Sequence, residues 1–474
     1  MLTPLKATND AYSALKQGDL DRADWLARQV LERNGNDVGM LKLLGAVHAG
    51  RMNWPESLVY YLAAIELDPN DFEAWNNGAV VWQKLGKLDD ARKFVNRAIV
   101  LNPEYSQAFF NLGNLAGMQG EPDVAAAAYE KSIELNSSHT PSYTNLGRLM
   151  AAGGDVSGAA KVFRQVLKLA PKDGDAHLNL GNALQSMGNF EQALSHYQQA
   201  IELFPYDPRL AHNLGSLYLA MDDPETAKVH YLLALKLDGK SAASHHQLGK
   251  LLQREGQLSL AIAHLQQAVS YEENNPTAWQ TLGQMWQATG ALEGAVACFE
   301  RAIELAPGFA EAHWDLGRVL LDLELWARGW QETEWRWEAQ SYLARQLPQH
   351  RKVNRWDGSE LKGRSLLVWS EGDVATVVKF ARFLPLLRPL LKDAIVIVEC
   401  DASIADWMSA IPGVSQVISK GEKVTADLQI AIGSLPAMLK CETGGEAMTC
   451  PEIVAMEDDS LAERVPQRFW VITV

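Results

Sequence analysis

Small and apolar residues recur along the first two thirds of the chain with a period of 34 residues. Each period holds two helix-like segments. The first carries a leucine–glycine pair, and the second carries an alanine followed four residues later by a large apolar residue. The first segments read QAFFNLGNL at Gln107, PSYTNLGRL at Pro141, DAHLNLGNA at Asp175, RLAHNLGSL at Arg209, ASHHQLGKL at Ala243 and TAWQTLGQM at Thr277. A fixed period of this kind predicts helix pairs that stack into a solenoid.

The glycines and alanines of the period mark the places where the predicted helices approach closely. A larger side chain there would push the helices apart, whereas the large apolar residues fill the space between repeats. The first-helix glycines are Gly113, Gly147, Gly181, Gly215, Gly249, Gly283 and Gly317, and the second-helix alanines are Ala91, Ala125, Ala159, Ala193, Ala227, Ala261 and Ala295. Turn glycines such as Gly120 and prolines such as Pro103 are predicted to end the helices.

On these residues the chain is identified as a member of the tetratricopeptide repeat family, over about residues 4–343 and roughly ten helix pairs. The resemblance implies an all-α superhelix, a solenoid domain at residues 1–343, with a concave groove that binds a protein or peptide. Self-association, with a second copy of the chain bound in that groove, is also compatible with the sequence. The first unit, about residues 4–37, lacks the leucine–glycine pair, which is typical of a capping repeat.

One position of the first helices carries a side-chain carboxamide in six successive repeats. The row consists of Asn77, Asn111, Asn145, Asn179, Asn213 and Gln247. Stacked repeats place equivalent positions side by side, and a carboxamide can pair with the amide and carbonyl of an extended peptide backbone. The row resembles the asparagine row of O-linked N-acetylglucosamine transferases, which holds substrate polypeptide. The alternative is that these side chains only form hydrogen bonds within the repeats.

After residue 364 the pattern changes to short β-branched runs separated by a helix-like stretch. The run SLLVWS precedes the helix-like stretch TVVKFARFLPLLRPLL, and the run AIVIVE follows it. Two further runs, VSQVIS and ADLQIAI, come next. This alternation predicts a β-α-β sheet. We therefore expect a linker at residues 344–364 and a partial α/β Rossmann-like lobe at residues 365–474. Ligands of such parallel sheets bind at the carboxyl ends of the strands, which here places the candidate loop at Ser370 to Thr376.

The phrases GWQETEWRWEA, NRWDGSELKGRSLLVWSEG, KFARFLPLL and GSLPAML resemble bacterial proteins in which tetratricopeptide repeats run into a two-lobed glycosyltransferase. The resemblance spans about residues 325–440. It implies a loop E-Q-G-x-G-D whose aspartate is the catalytic base, but this loop reads EGDVAT. Glu371 matches the family glutamate, the Gly-Asp pair falls on Ala375 and Thr376, and Asp373 lies three residues early. A threonine hydroxyl cannot replace a carboxylate as a general base.

Two functions remain open from the sequence. The first is a noncatalytic scaffold that binds a protein or extended peptide, needs no cofactor and carries a degenerate lobe. The second is a protein O-glycosyltransferase that uses a nucleotide sugar, with Glu371 or Asp373 handling the acceptor proton. In this second reading a missing segment or a partner chain supplies the donor lobe, since RFWVITV at the end of the sequence resembles only the first strand of that lobe.

Composition and charge exclude several classes of ligand and site. The net charge of −15 disfavours nucleic acid, whose phosphates would be repelled. The four cysteines, Cys298, Cys400, Cys441 and Cys450, show no CxxC spacing, so neither a disulfide framework nor a zinc site is expected. The histidines of the first helices lack paired metal-ligand spacing. With no leader-like start and no long apolar run, we expect a cytoplasmic protein without a transmembrane segment.

Overall fold

The computed structural model describes residues 4–339 and 353–442. The chain divides into two compact units, residues 1–237 and 238–474, and each is described by itself. Among the described residues, none of the helices is long and apolar enough to cross a bilayer. The predicted strand in RFWVITV and the residue Cys450 lie outside the described residues.

The first unit consists, in its described part, of fourteen helices that form seven antiparallel pairs. The first helices of the pairs are α1 (Pro4–Lys16), α3 (Val38–Gly50), α5 (Phe72–Lys84), α7 (Ser106–Met118), α9 (Thr140–Ala152), α11 (Gly174–Ser186) and α13 (Pro208–Ala220). The second helices are α2 (Leu20–Leu31), α4 (Trp54–Leu67), α6 (Leu88–Leu101), α8 (Pro122–Leu135), α10 (Val156–Leu169), α12 (Phe190–Leu203) and α14 (Pro224–Leu237).

The predicted close approaches are present inside these pairs. A Cβ atom added at Gly113 would lie 2.5 Å from the Tyr129 ring, and one added at Gly147 would lie 2.7 Å from the Phe163 ring. Real carbon atoms do not approach so closely, so glycine is required where the aromatic ring of the second helix crosses the first. The turn between α7 and α8 contains Gly120 at a φ of +74°, a conformation that glycine adopts at little cost.

Residues 238–339 continue the repeat with three further helix pairs in the second unit. These are α15 (Ala242–Arg254) with α16 (Leu258–Tyr271), α17 (Pro276–Ala288) with α18 (Leu292–Leu305), and α19 (Ala310–Asp322) with α20 (Trp326–Thr333). The last of these helices is short and runs into a 3-10 turn at Glu334–Trp337. The described chain thus contains ten helix pairs, and the predicted all-helical solenoid of repeats is confirmed.

A small parallel sheet follows where the sequence predicts strands. It consists of β1 (Ser365–Trp369), β2 (Ile395–Cys400), β3 (Gln416–Ser419) and β4 (Leu428–Ala431), in the order β3-β2-β1-β4. Leu367 is paired with Ile397 in β2 and with Gln429 in β4. Three short helices lie between strands: α21 (Val374–Ala381), α22 (Arg388–Leu391) and α23 (Ala405–Ser409). A fourth, α24 (Leu435–Met438), follows β4.

The core of this sheet includes residues from outside the predicted lobe. Trp330 of α20 is buried against Phe380 and Phe383, and its ring centroid lies 5.8 Å from that of Phe383. Trp356 is 1% exposed, and its backbone N–H donates to the Gln429 carbonyl at 2.9 Å, so the chain near residue 356 runs beside β4. The described part of the predicted linker, residues 353–364, therefore packs with the sheet. The predicted domain bounds stay a prediction.

Candidate peptide-binding face and C-terminal loop

The first helices of neighbouring repeats contact one another directly. In the first unit these contacts join α5 to α7, α9 to α11, and α11 to α13, and in the second unit they join α15 to α17 and α17 to α19. The carboxamide row lies on these helices, and each of its members is half-buried except Asn111, which is buried. Equivalent side chains of successive repeats are thus near enough to interact.

Several row members donate their amide hydrogens to the preceding repeat. Asn111 Nδ2 donates to Asn76 Oδ1 at 2.8 Å. Asn145 Nδ2 donates to Asn114 Oδ1 at 2.8 Å, and Asn213 Nδ2 donates in the same way to Asn182 at 2.7 Å. These bonds connect two repeats through a partly dry interface, where a hydrogen bond contributes about 1 kcal/mol. Part of the row therefore has a structural role between repeats.

The acceptors Asn114 and Asn182 occupy a second polar position of the repeat, which is not among the predicted site residues. Each lies three residues after a row member, one helical turn along the same face. The Tyr129 hydroxyl donates to Asn114 Oδ1 at 2.8 Å, and the Tyr197 hydroxyl donates to Asn182 Oδ1 at 2.7 Å. Burial raises the pKa of Tyr129, so its hydroxyl keeps its proton at neutral pH. Recurrence of Asn three residues after the row was the available signal.

Other side chains of the carboxamide row have polar atoms that form no hydrogen bond within the described residues. Among the described residues, no partner accepts from or donates to the side chains of Asn179 and Gln247, and the Oδ1 atoms of Asn145 and Asn213 accept no hydrogen bond. Asn77 Oδ1 accepts from Asn76 Nδ2 at 3.3 Å. The face therefore offers both carbonyl and amide groups, which is the combination that an extended backbone requires.

In the second unit the same position continues beyond the predicted row. Thr281 Oγ1 lies 3.0 Å from His246 Nε2 and donates to the Thr277 carbonyl at 2.8 Å. Asp315 is buried and accepts from Gln280 Nε2 at 2.9 Å and from Gln284 Nε2 at 2.8 Å. The carboxamides of the row end at Gln247, although the 34-residue spacing extends to Thr281 and Asp315.

Two histidines of the first helices each form a pair with a histidine of the second helix in the same repeat. His177 Nδ1 lies 3.0 Å from His196 Nδ1, and His245 Nδ1 lies 2.9 Å from His264 Nδ1. His177 Nε2 also lies 3.2 Å from the Pro171 carbonyl. A carbonyl can only accept, so the proton of neutral His177 is on Nε2 and its Nδ1 accepts from His196. In the described parts of the chain, no cluster of three or more metal-ligating side chains occurs.

Glu371, a candidate catalytic carboxylate, forms an ion pair in the loop that follows β1. Its Oε1 accepts from Arg336 Nη2 at 2.9 Å, and the side chains of Glu371 and Arg336 are 12% and 6% exposed. Ser434 Oγ also accepts from Arg336 Nη2 at 2.8 Å. The arginine comes from the 3-10 turn after α20, so the ion pair connects the end of the last repeat to the loop after β1.

Asp373, the other candidate, caps a helix. Its Oδ1 accepts from the backbone N–H of Thr376 at 2.8 Å and from the Thr376 hydroxyl at 2.7 Å, and it precedes α21 as the N-cap residue. These hydrogen bonds lower the pKa of Asp373, which weakens the carboxylate as a proton acceptor. The side chain is exposed at this position. The predicted loop therefore holds both carboxylates, each in contact with protein groups.

Comparison with protein families gives a consistent assignment of the helical part. Models described as "Tetratricopeptide repeat" match residues 9–72, 60–93, 79–140, 142–173, 174–207, 196–229 and 252–313. Together these matches extend over more than half of the chain. The matches to residues 142–173 and 174–207 each cover one helix pair, α9 with α10 and α11 with α12.

Two curated proteins are similar over short stretches. Transcription factor tau subunit sfc4 of Schizosaccharomyces pombe is 32% identical over 92 residues, which are 19% of this chain and 9% of that protein. Hsp70-Hsp90 organizing protein 3 of Arabidopsis thaliana is 29% identical over 112 residues, which are 23% of this chain and 18% of that protein. The chain thus spans less than a fifth of the length of these relatives.

Among solved structures, that of the APC/C hetero-tetramer Cut9-Hcn1 is similar. It covers 63% of this chain and 59% of the matched chain at 19% identity, with a TM-score of 0.46.

Proposed function

This chain belongs to the tetratricopeptide repeat family, and from that premise we propose that it is an interaction scaffold whose first helices bind an extended segment of a partner protein. The observation that carries the proposal is the carboxamide row, which presents carbonyl and amide groups that the repeats do not use themselves. Asn179 is the clearest case, since no hydrogen bond within the described residues involves its side chain.

A face that binds the backbone of its partner explains both kinds of side chain in the row, those bonded to the preceding repeat and those without such a bond. The asparagines that donate to the preceding repeat hold the helices in register, while the Oδ1 atoms of Asn145 and Asn213 accept from backbone N–H groups of the bound segment. In the first unit, Asn179 supplies both a donor and an acceptor, and Gln247 does the same within the second unit. Binding through backbone groups depends little on the side chains of the partner. The partner segment is therefore extended, and its affinity follows the number of backbone groups engaged.

The test uses the full chain and a display library of unstructured peptides, followed by titration of the best binder. We expect Asn179→Ala to weaken binding about three- to tenfold, the value of one lost hydrogen bond, with an unchanged melting temperature. Gln199→Ala, at an exposed position of the second helix α12, is the matched control. A peptide N-methylated along its backbone should lose affinity for the unmodified chain.

Two results would contradict the proposal that the row binds a peptide backbone. If Asn145→Ala lowers stability but neither Asn145→Ala nor Asn179→Ala changes peptide affinity, the row only joins the repeats. Equal binding of the N-methylated peptide would contradict backbone recognition.

For the C-terminal sheet we propose a Rossmann-like lobe of glycosyltransferase type that does not catalyse transfer. The support is the state of its two candidate carboxylates. A general base needs a free carboxylate within reach of the acceptor, but Glu371 is held by Arg336, and Asp373 is held by Thr376. The lobe then serves as a base on which the last repeat is fixed.

The competing activity, nucleotide-sugar-dependent transfer to a protein, is tested directly. Calorimetric titration of the full chain with nucleotide sugars and free nucleotides should give no saturable heat. Saturable binding of a nucleotide sugar or a free nucleotide would establish a donor site and overturn the noncatalytic assignment.

A further inference from the structure

Two successive second helices of the first unit carry opposite charges at equivalent positions. In α10, Lys161, Arg164 and Lys168 are spaced by three and four residues, so they lie on one face of the helix. In α8, Glu130 and Glu134 stand 34 residues before Arg164 and Lys168. Helix α10 contains no acidic residue. The same face of the second helix is therefore basic in one repeat and acidic in the repeat before it.

These charges are exposed and little used inside the unit. All five side chains belong to exposed residues. Among the described residues, no ion pair or hydrogen bond involves the side chains of the three α10 cations or of Glu130. Glu134 pairs with Lys131 at 2.9 Å, but its side chain is 68% exposed, and a pair of this kind within one helix contributes little. Glu134 is thus available to another cation.

The basic stripe of α10 is narrow. Its neighbour α8 carries glutamates, and α12 carries Gln198 and Glu202 at the positions of Arg164 and Lys168. A wide anionic surface, such as a membrane or a nucleic-acid duplex, would also meet these glutamates and be repelled by them. The pattern fits an occupant that carries an acidic stripe beside a basic one. In this chain, α8 and α10 form such a surface themselves.

We infer that two copies of the chain associate through α8 and α10 of their first units, around a two-fold axis parallel to these helices and midway between them. Both helices contact α9, and they run in the same direction because they are equivalent members of successive repeats. Such an axis places α10 of one copy over α8 of the other, with equivalent positions opposite each other. Arg164 then faces Glu130 of the second copy, Lys168 faces Glu134, and each pair occurs twice.

The charges select this axis over the other symmetric arrangement. A two-fold axis perpendicular to the helices would place each helix against its own copy, so that Glu130 would meet Glu130, and like charges opposite each other cost free energy. With the proposed axis, the next helices outward are α6 and α12. They bring Asn96 opposite Gln198 and Lys93 opposite Ser195, so no like charges meet there. A contact made mainly by two helices of each copy is small, and we expect a transient dimer.

This association differs from a second copy bound in the groove. The carboxamide row lies on the first helices, whereas the contact uses second helices, so each copy in the dimer keeps its row for a peptide. The inference therefore does not rest on the proposed function. Asn179→Ala, which should weaken peptide binding, should leave the dimer unchanged.

Sedimentation velocity of the full chain over a series of concentrations measures the association, at low and at moderate salt. We expect an equilibrium between monomer and dimer that added salt shifts toward monomer. The pair of substitutions Glu130→Lys and Glu134→Lys should weaken the dimer at least a hundredfold, because four attractive contacts become repulsive. The pair Arg164→Glu and Lys168→Glu should do the same.

The matched control reverses two exposed lysines elsewhere in the unit, Lys84→Glu with Lys87→Glu. It changes the net charge as much as the Arg164 and Lys168 pair does, and it should leave the dimer within a few-fold of the unmodified chain. Thermal melts of each variant confirm that it is folded.

Charge exchange gives the sharper test. Mixing the basic variant with the acidic variant should restore a dimer, since each α8 then faces an α10 of opposite charge. A chain with all four substitutions should also dimerise, because its two stripes have exchanged charges. A chain that stays monomeric at every concentration would overturn the inference. So would a dimer that survives both reversals, or variants that fail to recombine when mixed.

Discussion

Arg336 and Glu371 form an ion pair across the junction between the last repeat and the sheet, with Nη2 2.9 Å from Oε1. The arginine is 5% exposed and also donates to the Thr333 carbonyl at 3.0 Å and to Ser434 Oγ at 2.8 Å. Its guanidinium lies 4.6 Å from the centroid of the Trp337 ring. A buried charge with this many partners fixes the geometry of the elements that supply them.

We therefore predict that Arg336→Ala destabilises the second unit by about 3–5 kcal/mol, because Glu371, whose side chain is 12% exposed, would lose this charge partner and Glu334 would keep the more exposed Arg355. Urea unfolding followed by tryptophan fluorescence measures the change, since Trp337 lies beside the ion pair. Arg355→Ala is the control. Arg355 is 41% exposed and pairs with Glu334 near solvent, so its loss should cost below about 1 kcal/mol. Equal effects of the two variants would contradict a specific role for the buried pair.

Two glycines of α7 give opposite predictions for the same substitution. A Cβ at Gly113 would lie 2.5 Å from the Tyr129 ring, whereas one at Gly117 would meet nothing within 4 Å. Gly113→Ala should lower the unfolding free energy of the chain by about 1–3 kcal/mol through overpacking. Gly117→Ala should raise it by about 0.5–1 kcal/mol, because alanine restricts the unfolded chain and favours helix. Thermal melts of both variants check the pair, and a common direction of change would be inconsistent with the packing described.

The helical repeats could be predicted from the sequence because small residues at a fixed period leave few alternatives. Gly113 and Tyr129 are recognisable in the sequence as a small and a large member of that period, and in the structure they cross as expected. The short strands were also predictable, since SLLVWS and AIVIVE are apolar runs of the length of buried parallel strands.

Side-chain pairing could not be predicted in the same way. Asn145 and Asn114 are 31 residues apart, and their bond depends on how far one repeat rotates against the next, which periodicity does not specify. Arg336 and Ser434 are 98 residues apart and meet only after the sheet forms. The candidate loop follows β1 as predicted. The ion pair of Glu371 depends on Arg336, which is distant in sequence, and the hydrogen bonds of Asp373 depend on the turn before α21, so neither could be predicted from the sequence.

Histidines with a lowered pKa predict a loss of stability in mild acid. Burial and the neighbouring His177 and Arg164 charges lower the pKa of His196, burial and His245 lower that of His264, and burial lowers that of His246 to about 4. A lowered pKa means that the folded chain binds fewer protons than the unfolded chain. Stability is therefore full above about pH 6.5, the ordinary histidine value, and decreases as the pH falls toward 4.

Thermal melts between pH 8 and pH 5 test this, in a range where ordinary carboxylates remain ionised. The matched variant is His177→Trp with His196→Phe, which copies the Trp75 and Phe94 pair found at the same positions of an earlier repeat, with ring centroids 4.7 Å apart. Trp75 Nε1 donates to the Pro69 carbonyl at 3.0 Å, as His177 does to Pro171. We expect a smaller decrease of Tm with acid in the variant. An unchanged pH profile would exclude His196 as a source.

Asp373 distinguishes a helix cap from a catalytic base. Because its Oδ1 accepts from Thr376, Asp373→Ala should destabilise the second unit by about 1 kcal/mol, whereas Asp373→Asn keeps a side-chain acceptor and should cost a few tenths of that at most. A base would behave otherwise, since asparagine cannot take a proton at neutral pH. If the chain transfers sugar to a peptide and Asp373→Asn abolishes transfer with an unchanged urea midpoint, the carboxylate acts on the acceptor. If only Asp373→Ala has an effect, and that effect is on stability, Asp373 is a cap.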